Sequence, residues 1–139
     1  LIFLFLTGIS FVVFMTNKNS QNLLKIGSID LLVEIASSPK EYSKGLSNRE
    51  VLKNGHGMLF VFDDKKIRNF WMKDMNFDLD VVWILENKVI GFQENVPIFS
   101  KDGQVTRFSS NVPCDMVLEV KSGWVSENGI KIGDIVDFF

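Results

Sequence analysis

The chain has one cysteine, Cys114, and one histidine, His56, among its 139 residues. A single thiol excludes an internal disulfide framework and a cysteine zinc cluster within one chain. Cys114, beside Pro113, reads as a partly buried small side chain. His56 lies between Gly55 and Gly57, where a lone histidine reads as a surface turn residue. Charge of one sign is missing too. Fifteen Lys plus Arg stand against 17 Asp plus Glu, for a formal net charge of −2. That near-balance argues against nucleic-acid binding, which usually shows a basic patch or domain. The chain also lacks a His-Glu-x-x-His pair, a Gly-x-Ser-x-Gly elbow, a phosphate loop and a dinucleotide fingerprint. Ser109 and Ser110 have no sequence-local base. No cofactor and no metal site are therefore implied.

What is present begins with LIFLFLTGISFVVFMTN, residues 1–17, which carries no charge. A spanning helix needs about 20 apolar residues and a secretory core about 7 to 15, so Leu1–Met15 falls between the two. No clean small-x-small cleavage site follows Met15, and no cysteine near residue 16 could accept lipid. An uncleaved membrane anchor is expected, with secretion after signal cleavage as the alternative. Residues 18–22 then form a polar linker, and residues 23–139 a single domain of about 120 residues, too short for two cores. On this reading the domain lies outside the cytoplasm.

The domain alternates with a period near two. Ile29, Leu31, Val33 and Ile35 fall on one strand face, with Leu32 and Glu34 opposite. A short strand at Leu24–Ile26 precedes it. Ser38 before Pro39 fits a helix N-cap with Gly45 as the stop, and Ser47 with Glu50 reads as a second capping box. Gly57–Phe62 is a buried strand, and Ile67–Met72 is expected to return beside it. Leu79–Leu85 and Lys88–Phe92 make a hairpin across Glu86-Asn87; Asp102-Gly103 marks a turn before Val105–Phe108. Met116–Val120 and Ile135–Phe138 are further strands, with a short helix at Trp124–Asn128 between them. The expected class is mainly β (α+β): a single compact barrel-like or two-layer antiparallel domain with short helices.

Chemistry concentrates in FWMKDMNFDLD, Phe70–Asp80. On a strand Trp71 and Lys73 share one face, where the indole could stack on a planar or sugar-like ligand and the amine could supply charge. Asp78 and Asp80 share another face, and Asp80 precedes the apolar run VVWIL, where a buried carboxylate needs a partner. Arg49 or Lys73 could serve.

Together GLSNR (45–49), GMLFVF (57–62), FWMKDM (70–75), LD (79–80), ENVP (94–97), FSS (108–110) and VLEVKSGWVSENGIKIGD (117–134) closely resemble the DUF192 (UPF0127) family. The resemblance runs in order over about Ile29–Val136 and implies a small, largely β domain, often exported or anchored in prokaryotes, with no settled activity. The matching positions include Gly45, Arg49, Gly57, Met58, Trp71, Lys73, Asp80, Asn95 and Glu119. Asp78 stands where members commonly have proline, and Ser47-Asn48 replaces an apolar pair.

The leading expectation is a membrane-tethered extracytoplasmic domain that binds a small polar ligand or an envelope component through Arg49, Trp71, Lys73 and Asp80. These four should converge in a cleft between the FWMK strand and the Arg49–Gly57 segment. One alternative is an envelope glycan hydrolase using Asp80, with Glu34 or Glu119 as second acid. The other is a structural or protein-interaction module whose aromatics are only core.

Overall fold

Period-two patterning becomes nine strands and two short helices in the computed structural model, which describes residues 22–138. The expected anchor and most of the linker lie outside the described residues. Strands β1 (Asn22–Ile26) and β2 (Ile29–Ala36) form a hairpin across Gly27, whose φ of +57° suits glycine. Helix α1 (Pro39–Lys44) follows, then β3 (His56–Lys66), β4 (Asn69–Trp71), β5 (Leu79–Leu85), β6 (Lys88–Val96), β7 (Arg107–Ser109), β8 (Cys114–Lys121), α2 (Trp124–Glu127) and β9 (Val136–Phe138).

Seven strands form one sheet in the order β6-β5-β8-β3-β2-β1-β9. It curls until its edges meet: Lys88 bridges Ile135, and Val89 N donates to Asp134 O at 3.0 Å. The contact covers the two edges where residues 87–89 meet residues 133–136, which reduces the usual hazard of an open sheet. Inside the curl lie Leu24, Ile26, Leu31, Val33, Leu59, Val82, Ile84, Leu118 and Val120, closed by Trp124 and Val125 of α2. The other face carries Ala36, Met58, Phe60, Val81, Trp83 and Val117, and is roofed by Leu46, Leu52, Met72, Met75 and Phe108. Alternation along each strand therefore feeds two cores.

Three local expectations change. The segment around Ile67–Met72 does not return beside β3; its strand β4 pairs with β7 in a separate two-stranded sheet, because β3 already has β2 and β8 as neighbours. β2 and β3 run parallel within the otherwise antiparallel sheet, α1 and the loop after it carrying the chain back so that β3 sets off in the direction of β2. Of the two short helices or turns expected after β2, the second is a turn without the Ser47–Glu50 capping box, since Ser47 Oγ donates to Lys73 O at 3.0 Å instead. The first N-cap is as expected. Ser38 accepts from Glu41 N at 3.4 Å, Glu41 returns a bond to Ser38 N at 3.0 Å, and Pro39 opens the helix.

Candidate functional site

Helix α1 ends at Gly45, whose φ of 47° and ψ of −132° suit glycine, and the loop beyond crosses the outer sheet face. There it meets the segment after β4. Ser47 Oγ bonds Lys73 O, Asn48 N donates to Asp74 O at 2.8 Å, and Asn76 Nδ2 donates to Arg49 O at 2.9 Å. The FWMKDM segment and the Arg49 loop are thus adjacent, but through bonds to backbone carbonyls and not through their charged side chains.

Their charged side chains take separate partners. Arg49 forms two parallel bonds to Glu34 on β2, at 2.5 and 2.7 Å, and these hold the Glu34 carboxyl below its ordinary value. Asp80 is fully buried inside the curl, where Oδ1 accepts from Asn95 N at 2.8 Å and Oδ2 from Val125 N at 2.9 Å. Those two bonds explain its place. Asn95 has a φ of 52° where β6 slips register against β5, and α2 has no side-chain cap of its own at Gly123. Asp80 therefore pins an irregular strand and caps a helix 45 residues away. No hydrogen bond or ion pair among the described residues joins Arg49, Lys73 and Asp80, so the expected charged trio is not a single cluster.

Trp71 is a different case. A core role would have buried it, yet it is 45% exposed. Pairing of β4 with β7 sets Trp71 opposite Arg107, and the guanidinium lies 5.1 Å from the indole centre, as does the Lys73 amine. Beside it is an open hollow of about 650 Å³ lined by Asn69, Phe70, Trp71, Arg107, Phe108 and Ser109. A second hollow of about 410 Å³ flanks Trp71 on the side of Tyr42 and Arg68. Phe70 supports this surface from below by stacking on Phe108, with centroids 5.6 Å apart and an 11° interplanar angle. Arg107 carried no signal in the sequence, because only strand pairing brings it to Trp71.

Under the same surface lies Glu119, in the middle of β8, with Met58 and Val81 as its cross-strand neighbours. It is 6% exposed and has no hydrogen-bond or ionic partner among the described residues. Burial alone pushes its carboxyl up to about 8, leaving it neutral at pH 7. Its signal in the sequence was the one acid inside the apolar run MVLEV. No group of three or more metal-ligating side chains occurs among the described residues.

The DUF192 profile, described as an uncharacterized ACR, matches residues 22–138. The chain belongs to the DUF192 family. Two solved relatives of this DUF192 chain share the fold. One, from Sinorhizobium meliloti, was proposed to be a transcription regulator; it is 28% identical, with a TM-score of 0.78 over 86% of this chain and 94% of that one. The other, a protein of unknown function from Novosphingobium aromaticivorans, is 25% identical, with a TM-score of 0.74 over 83% of each chain. No curated protein matches.

Proposed function

We propose that the Trp71 surface binds a small, anionic, hydroxyl-bearing ligand of the acidic-sugar class, and that the domain does so outside the cytoplasmic membrane, tethered through Leu1–Met15. The observation that supports this reading is an exposed indole with two cations 5.1 Å from its ring beside an open hollow. An aromatic plane offers apolar contact to a sugar face, and Lys73 and Arg107 offer charge to a carboxylate or phosphate. Arg49 and Asp80 support the walls rather than the ligand. The hydrolase reading gains nothing from Asp80, which is held by two backbone amides inside the curl. A transcription-regulator role exercised by reading DNA gains nothing from helices of six and four residues or from a net charge of −2.

The test is calorimetric titration of the full chain with D-glucuronate and with uncharged methyl glucoside. Binding of glucuronate that is weakened in both Trp71→Ala and Arg107→Ala supports the site; equal affinity for the two sugars rejects the charge selection. Tethering is tested by protease added to intact spheroplasts, where digestion of the domain is expected and full protection refutes the topology.

A further inference from the structure

Glu119 occupies the most protected position on a sheet, a central strand between β3 and β5, on a face otherwise made of Met58, Phe60, Val81 and Val117. An acid there without a partner is costly, and packing alone would favour an apolar side chain of the same volume. The space above it is also arranged. Gly45 brings backbone so near that an added Cβ would stand 4.0 Å from Glu119 Oε2 and 3.4 Å from Phe60 Cζ. What remains is a cavity of about 30 Å³ lined by Lys44, Gly45, Ser47, Phe60, Trp71 and Glu119, among others. That is room for one water-sized group. Trp71 and Phe70 line both this cavity and the open hollow, so the two spaces share a wall.

We infer that Glu119 hydrogen-bonds one hydroxyl that a ligand seated at Trp71 directs into this cavity, and so decides which ligands the site accepts. The inference rests on the Trp71 reading and deepens it. A neutral carboxyl offers one donor and one acceptor, the same pair that a hydroxyl offers in return. A carboxylate or phosphate pushed into the cavity would lose its water beside an acid, whereas outside, at Trp71, it meets Lys73 and Arg107, each 5.1 Å from the indole centre. The ligand therefore enters hydroxyl first with its negative group outside, as a hydroxy acid or acidic sugar can. The other titratable groups near Glu119 are Tyr42, Lys44 and Glu34. Tyr42 donates its hydroxyl to Val61 O at 2.6 Å, Lys44 lines the cavity from α1, and Glu34 is paired with Arg49 on β2.

The experiment is titration of the full chain with D-glucuronate from pH 6 to 9.5, in wild type, Glu119→Gln, Glu119→Leu and Trp71→Ala. Wild-type affinity is expected to fall about fivefold or more as the pH passes 8, because ionisation removes the donor. Glu119→Gln, which keeps a donor and an acceptor, should bind with a flat profile across that range. Glu119→Leu should bind at least about tenfold more weakly with an unchanged amide spectrum. Should the leucine variant not fold, the flattened profile of the glutamine variant still decides. Wild-type affinity at Glu119→Leu, or a pH profile that the glutamine variant leaves unchanged, overturns the role of Glu119. If Trp71→Ala still abolishes binding in that case, the outer site stands. Absence of glucuronate binding in wild type overturns both.

Discussion

Asp80 and Glu119 are buried acids on adjacent strands, one register step apart, since Asp80 pairs with Val120 and Val81 with Glu119. Alternation points them to opposite faces of the sheet. Asp80, inside the curl, has a backbone amide on each oxygen; Glu119, on the outer face, has no partner among the described residues. Burial thus serves unlike ends, complete at Asp80 and nearly so at Glu119. A carboxylate matched to two amides holds irregular backbone in place, while an unmatched carboxyl beside a cavity keeps its bonding capacity for something that arrives.

Mutation can break this contrast. The largest loss is expected at Asp80→Ala, which strands the Asn95 and Val125 amides and should cost about 3 to 5 kcal/mol in denaturant unfolding. A loss below about 1 kcal/mol would make Asp80 no more structural than Glu119. The opposite sign is expected on the other face. Glu119 has its carboxyl raised by burial from 4.5 to about 8, so its contribution is fully present below pH 4.5 and is lost as pH rises through about 8. Glu119→Gln should therefore match wild type near pH 4 and exceed it by up to about 3 kcal/mol at pH 7. Destabilisation by glutamine at pH 7 would reveal a hidden structural partner.

Gly57 sharpens the picture from the backbone side. An added Cβ would lie 2.7 Å from the Glu119 carbonyl oxygen, so Gly57→Ala must spread β3 from β8 and should cost about 1 to 3 kcal/mol by thermal melting. Glu34 supplies an intermediate case, with its side chain 31% exposed and paired to Arg49. Its lowered carboxyl value gives stability present above pH 4.5 and lost as pH falls through the folded value. Glu34→Gln should remove about 0.5 to 1 kcal/mol at pH 7 and progressively less as pH falls through the folded value, readable from paired urea curves. The smallest effect on stability belongs to Lys73→Ala, within about 0.5 kcal/mol, while glucuronate binding weakens. A fold-breaking Lys73 variant would return the Trp71 surface to the scaffold.

Strands were legible where alternation runs along the chain, as at Ile29–Ile35, and where a short apolar run stands between polar residues, as at Met116–Val120, because both are local patterns. Helix α1 was legible from Ser38, Pro39 and Gly45, because a cap and a stop act locally; the bonds between Ser38 and Glu41 close within three residues. The partner of β4 was not. A three-residue strand carries too little pattern to choose between β3 and β7, and that choice alone decides whether Trp71 faces Arg107. In the same way, the charges of Arg49, Lys73 and Asp80 were visible as residues while their partners were not.

The amino-acid sequence by itself determined the family, a β-rich domain, its main strands and the prominence of Trp71 and Lys73, since each depends on composition or short-range order. Tertiary structure decided the rest: the curl that joins β6 to the β9 end, the two amides that claim Asp80, the meeting of Arg107 with Trp71, and the isolation of Glu119. The physical reason is range. Alternation and capping act over a few residues, whereas the partner of a charge is fixed by strands far apart in the chain, and burial then determines whether that charge is held or left available.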